Sequence, residues 1–200
     1  MNRGIVVILV VFCIFFIVKT FIDYDDTYYV KSRVDSKEYL IRNKYKPNSE
    51  IEEETVDTLA LIYKNVSKLI VAMKEKDVKP YWLKYLDNFQ PSSISEAAIE
   101  KKYTTYTVDK KHIHICLRTR DSEKKIYDMN DLLYVVIHEL AHMVNYTRDG
   151  KPIMGHTLDF QLKFKYLINE AIEAGIYKYY DYSKQPKDYC GMQITSHILN

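Results

Sequence analysis

The sequence predicts an α+β domain, a small sheet of hairpins packed on helices, preceded by an N-terminal transmembrane helix. Three observations predict it. Residues 4–18 form an apolar run without one polar side chain. Two later segments alternate apolar and polar residues at strand period, and three more repeat apolar residues at helical period. Composition agrees with a globular chain: 47% hydrophobic and 28% charged residues, with only 5 Gly and 5 Pro, exclude collagen-like and low-complexity character. Tyr is over-represented, 19 of 200 residues, which reads as amphipathic bulk for core and surface.

Lys19, Thr20, Phe21 and Ile22 extend the apolar run to 19 residues if Lys19 snorkels, close to the ~20 that a membrane span needs. The small-residue pattern of a cleavage site does not follow it, so an uncleaved anchor is favoured over a signal peptide. The expected layout is an anchor over residues 1–22, a tether over 23–27 and one domain over 28–200. Lys19, Lys31, Arg33 and Lys37 outnumber Arg3 before the span, a weak lean toward a cytosolic domain on a single-pass membrane protein. Beyond residue 22, 27 basic side chains face 27 acidic ones, so no polyanion-binding signal, and no clear nucleic-acid partner, emerges. The sequons at Asn65 and Asn145 fall within or at the end of predicted helices. Cys13 sits in the apolar run, leaving Cys116 and Cys190 as a possible pair, too few for a secreted disulfide framework.

The remaining elements follow in order. Residues 28–34 and 38–41 read as two strands about the turn Asp35-Ser36-Lys37. Ser49 and Glu52 have capping-box spacing at the start of a long helix that runs from Glu50 to about Glu75. Its stripe is Val56, Leu59, Ala60, Tyr63, Val66, Ile70 and Met73. A short helix is expected over Tyr81 to Phe89, and a loop at Pro91-Ser92-Ser93. Residues 104–108 and 112–117 read as a hairpin across Asp109-Lys110-Lys111. His112, His114 and Cys116 then share one face of a strand, which is more simply a half-exposed row than a metal site.

Asp128 or Asn130 can cap a helix from Leu132 to about Tyr146, with a buried stripe of Leu133, Val136, Ile137, Leu140 and Val144. On it lies His138-Glu139-Leu140-Ala141-His142. Random placement of 6 His and 12 Glu would produce H-E-x-x-H about 0.01 times in 200 residues. Residues i and i+4 project from one helical face, so both imidazoles can reach one zinc ion, while Glu139 is placed to act as general base. A catalytic zinc takes three protein ligands and keeps one position open. Asn145 and Arg148 stand where the extended metzincin pattern needs Gly and His. The third ligand is therefore His156, ahead of a helix that Thr157 can cap, or Glu170. His156 is favoured, because Glu170 also fits the polar face of an ordinary helix.

The pattern of Ile115 to Arg120, then His138 to His142, then Gly155-His156 with Phe160, resembles that of WLM-type metallopeptidases, relatives of the SprT/Spartan group. The resemblance extends to residues 38–43 and to the ending Tyr182 to Pro186 with Tyr189-Cys190-Gly191, a pattern similar to a subgroup encoded by large DNA viruses. It covers about residues 28–200. It implies a minimal zincin-like fold, with one catalytic Zn²⁺ on His138, His142 and His156, Glu139 as catalytic base, and a protein or peptide substrate. The thirteen-residue gap between His142 and His156 is longer than in typical WLM members and closer to the SprT arrangement. The family's DNA-directed proteolysis is not carried over to a neutral domain without a basic tail. Two other functions fit the motif: a zinc-holding scaffold without turnover, and a non-peptidase zinc amidohydrolase. Tyr177, Tyr179, Tyr180 and Tyr182 are a candidate oxyanion source, though a packed C-terminal tail is the favoured account of them.

Overall fold

The computed structural model describes residues 9–14, 27–42, 47, 49–97, 104–121 and 123–200. Within them the α+β expectation holds, with one mixed five-stranded sheet, a two-stranded hairpin and three long helices. The strands are β1 (Thr27–Lys31), β2 (Glu38–Arg42), β3 (Ile94–Glu96), β4 (Tyr106–Val108), β5 (His112–Ile115), β6 (Lys187–Tyr189) and β7 (Met192–Ile194). The long helices are α1 (Glu50–Glu75), α2 (Met129–Met143) and α3 (Leu158–Glu173).

The transmembrane helix is a correction. Among the described residues no helix is long and apolar enough to cross a membrane. Residues 9–14 are helical. The membrane location expected from that segment is corrected with it. The rest of residues 1–22, and residues 23–26 of the expected tether, lie outside the described residues. Thr27 already belongs to β1.

The sheet order is β1-β2-β3-β5-β4. The outer pairs β1–β2 and β4–β5 are antiparallel, while β3 runs parallel to both β2 and β5. The outer pairs are the hairpins expected from the alternation. β3 falls just after the expected loop and has no alternation to show, because all three of its residues are buried. Its two polar side chains are spent on neighbours: Ser95 Oγ lies 2.9 Å from His114 Nδ1, and Glu96 Oε2 accepts from Arg42 N–H at 3.0 Å. Such a strand looks like a loop in the sequence and is defined by the sheet on both sides of it.

α1 begins where Ser49 Oγ accepts from Glu52 N–H at 3.2 Å. Three acidic residues in its first turn suit the positive end of the helix dipole. The second half of the expected capping box takes a different form, since the Glu52 carboxylate accepts the Tyr28 hydroxyl and ties the helix start to β1. α1 lies against β2 and β3, α2 against β4 and β5, and α3 packs on α2 and reaches α1. Leu59, Ile62 and Leu69 of α1, Ile113 and Ile115 of β5, Leu132, Val136 and Leu140 of α2, and Leu167 and Ile168 of α3 make one core. The expected short helix at Tyr81 to Phe89 is a single 3₁₀ turn at Leu83–Leu86.

Residues 174–200 close the domain. Tyr39, Tyr182 and Tyr189 are among its largest fully buried side chains, and each finds a hydroxyl partner: Asp35, Asp131 and the Cys116 carbonyl. The tyrosine excess is thus partly a core material, with the polar ends satisfied as burial requires. β6 and β7 join through Cys190 and Gly191, both at positive φ (51° and 82°), a type I′-like hairpin turn that favours glycine. Cys190 forms a disulfide with Cys116, closing a loop across 74 residues. Disulfides persist in oxidising surroundings and are rare in the cytosol, which weighs against the cytosolic lean.

Candidate metal centre

α2 carries the H-E-x-x-H segment. Asp128 caps it by accepting from Asn130 N–H at 2.8 Å, and its buried side includes Leu133, Val136, Ile137 and Leu140. That burial fixes the rotation of the helix and places His138 and His142 one turn apart, with ring centroids 5.0 Å from each other.

The chain then leaves α2 through a braced turn. Asn145 is fully buried and donates from Nδ2 to the Ile153 carbonyl at 3.2 Å. Lys163 of α3 donates to Asn145 Oδ1 and to the Tyr146 carbonyl, both at 3.0 Å. Lys110, from the turn between β4 and β5, donates to the His142 carbonyl at 2.6 Å and the Ile153 carbonyl at 3.0 Å. Gly155 has φ +73°, a conformation that glycine adopts without strain. It turns the chain so that His156 precedes the α3 cap, where Thr157 Oγ1 accepts from Phe160 N–H at 3.4 Å.

The result is convergence of three imidazoles from two elements. His156 Nε2 lies 3.0 Å from His138 Nε2 and 3.1 Å from His142 Nε2. The three ring nitrogens lie within 4.8 Å of one another and can hold a metal ion. Bonds of 2.0–2.1 Å at tetrahedral angles put ligand nitrogens about 3.3 Å apart, close to the observed spacing, so the donor set fits zinc. Phe160 floors the cluster, its ring centroid 4.3–4.9 Å from those of the three histidines. Burial, then the neighbouring imidazoles, push His138 down to about 3. Burial, His156 and Lys110 push His142 down to about 4. Both rings are neutral near pH 7 and have a lone pair to offer.

Glu139 is buried, and burial raises its carboxyl to about 7 against the opposing hydrogen bonds from Thr107. The Thr107 hydroxyl donates to Glu139 Oε2 at 2.7 Å and lies 3.2 Å from the Glu139 carbonyl oxygen. Neither Thr107 nor Lys110 stands out in the sequence. Both sit on a hairpin more than 25 residues before the motif, and only the packing of β4 on α2 joins them to it.

The rival ligand and the secondary candidates lie elsewhere. Glu170 is twelve residues along α3 from Leu158, about 18 Å of helix, and is ion-paired with Lys76 at 2.6 Å. In the His112, His114 and Cys116 row the sulfur is spent on the disulfide, and His114 faces Ser95 and Tyr106. Tyr177 and Tyr182 are buried in the C-terminal packing, while the Tyr179 and Tyr180 hydroxyls donate to Asn200 and Gln185. The packed tail therefore accounts for this group. Asn145, one of the two sequon asparagines, is buried among its partners.

No family model matches the chain. Uncharacterized protein R325 of Acanthamoeba polyphaga mimivirus is 37% identical to it over 177 residues, covering 86% of this chain and 84% of that protein. The chain belongs to the family of that mimivirus protein. Two uncharacterized iridescent virus proteins match shorter stretches. Protein 042R of Invertebrate iridescent virus 3 is 43% identical over 89 residues, covering 44% of this chain and 50% of its own length. Protein 136R of Invertebrate iridescent virus 6 is 32% identical over 99 residues, covering 48% and 51%. Among solved structures, the crystal structure of Wss1 from Saccharomyces cerevisiae aligns with a TM-score of 0.39 at 16% identity, over 68% of this chain and 87% of that one. That likeness is too loose to carry an argument about chemistry.

Proposed function

We propose that the chain is a zinc-dependent metallopeptidase, similar in its motifs to the WLM type, that hydrolyses peptide bonds in a protein or peptide substrate. The observation that carries the reading is the meeting of three Nε2 atoms, from His138, His142 and His156, beside a glutamate on the same helix. Three imidazoles match the ligand count of a catalytic site, which keeps one position open. His156 is exposed and His138 and His142 are half-buried, so substrate has a way in. Bound zinc would supply a Lewis acid for the scissile carbonyl and lower the pKa of water toward 7.

The protein's own groups do the rest. His138, His142 and His156 would hold the ion. Glu139, its carboxylate held by Thr107, takes the proton of the attacking water and returns it to the leaving nitrogen. Metal analysis beside a hydrolysis assay tests the reading. One zinc per chain with cleavage of unstructured casein supports it. Stoichiometric zinc without cleavage of any protein or peptide overturns it in favour of a zinc-holding scaffold.

A further inference from the structure

We propose that Thr107 is a positioning residue, holding the Glu139 carboxylate in one rotamer; the inference rests on the reading of Glu139 as the base. The Thr107 hydroxyl reaches both the carboxylate and the main-chain carbonyl of Glu139, at 2.7 and 3.2 Å. A single hydroxyl thereby ties the end of the side chain to its own helix. The main-chain N–H of Thr107 also acts on the carboxylate, so both the backbone and the hydroxyl of this one residue hold Glu139, and Thr107→Val removes the hydroxyl's share. Glutamate has three rotatable side-chain bonds, and a base must present its oxygen within hydrogen-bond reach of the proton it takes.

Thr107 is itself held. It pairs with Ile113 in the β4–β5 ladder, and Ile113 is fully buried. Two residues earlier, just ahead of β4, Thr105 Oγ1 accepts from Cys116 N–H at 3.0 Å and lies 2.5 Å from the buried Tyr189 hydroxyl. Tyr189 in turn donates to the Cys116 carbonyl at 2.9 Å. β4 is the last strand of the sheet, yet the C-terminal hairpin and its disulfide brace it from behind. β-branching narrows the choice of χ1 at Thr107, so the hydroxyl is aimed at Glu139 by the backbone.

Two variants and two readouts test this. In the metal-free chain, a double-mutant cycle of Thr107→Val with Glu139→Ala is followed by urea denaturation. A midpoint shift for the double variant clearly smaller than the sum of the single shifts is expected, and additive shifts overturn the proposal. In the zinc-loaded chain, Thr107→Val is expected to lower kcat on a quenched fluorescent peptide about 10-fold, with KM and zinc content unchanged. Thr107→Ser is expected to recover most of it. An unchanged kcat in Thr107→Val, where Glu139→Gln abolishes turnover, overturns the proposal. If Glu139→Gln turns over normally, the peptidase reading fails, and the cycle still decides whether Thr107 holds Glu139.

Discussion

Lys163 Nζ lies 3.0 Å from Asn145 Oδ1, with both residues buried. The pair joins α3, which His156 immediately precedes, to the chain leaving α2, which carries His142. The same ammonium donates to the Tyr146 carbonyl at 3.0 Å, which also accepts the Tyr81 hydroxyl at 2.8 Å, so Lys163→Met leaves the buried Asn145 Oδ1 without its donor. The expected loss is about 2 kcal/mol of stability, the scale of hydrogen bonds to a charged group, together with weaker zinc binding. Chemical denaturation and zinc titration of the variant measure both.

His156 and Glu170 are separated by the third-ligand test. His156→Ala removes one of three donors and is expected to weaken zinc binding at least about 100-fold, beyond what outer-shell partners cost. Glu170→Gln breaks the ion pair with Lys76 and is expected to leave zinc content unchanged. Zinc lost with Glu170→Gln and kept with His156→Ala would reverse the assignment.

The disulfide between Cys116 and Cys190 closes a loop across 74 residues. Loop-closure entropy for that length is worth about 4 kcal/mol. Reduction, or the Cys116→Ser and Cys190→Ser double variant, is expected to lower the denaturation midpoint by an amount of that order. Because β4 leans on Tyr189, next to Cys190, peptide hydrolysis is expected to fall in parallel. A denaturation midpoint indifferent to reductant would contradict the bond.

His197 should make stability fall in acid. Its Nδ1 accepts from Leu199 N–H at 3.2 Å, so the neutral ring presents Nε2–H to the Tyr177 oxygen at 3.0 Å. Tyr134, Tyr177, Tyr179 and Tyr182 surround the ring, and Asp181 is the charged group that opposes the shift. Burial pushes His197 from 6.5 down to about 4. Between those values the unfolded chain binds the extra proton, so stability is complete above pH 6.5 and is lost as pH falls toward 4. The share is roughly 3 kcal/mol. The difference in denaturation free energy between wild type and His197→Phe should shrink across that window, and a constant difference would contradict it.

What the sequence showed and hid has a physical pattern. α2 was legible because its cap, its buried stripe and its two histidines all lie within one stretch of helix. His156 was legible as a candidate because Thr157 marks a helix start beside it. β3 was not, since a three-residue strand buried on all sides has no period to read, and its Ser95 and Glu96 are polar. Thr107 and Lys110 were hidden for another reason: a hydroxyl and an amine on a hairpin acquire meaning only when the sheet lays that hairpin against α2. The disulfide could be named as a possible pair but not chosen. The apolar run, extended to residues 4–22, came close to a membrane span in length, yet among the described residues no helix supports one.

Hydrolysis of unstructured casein by the zinc-loaded chain, compared with Glu139→Gln at equal zinc content, tests the peptidase reading most directly. Gln keeps the shape of the side chain and removes its ability to take a proton. The predicted result is cleavage by the wild type and a loss of at least about 100-fold in the variant, the scale of general-base catalysis. Equal rates in both, or no cleavage by the wild type with zinc fully bound, would contradict it.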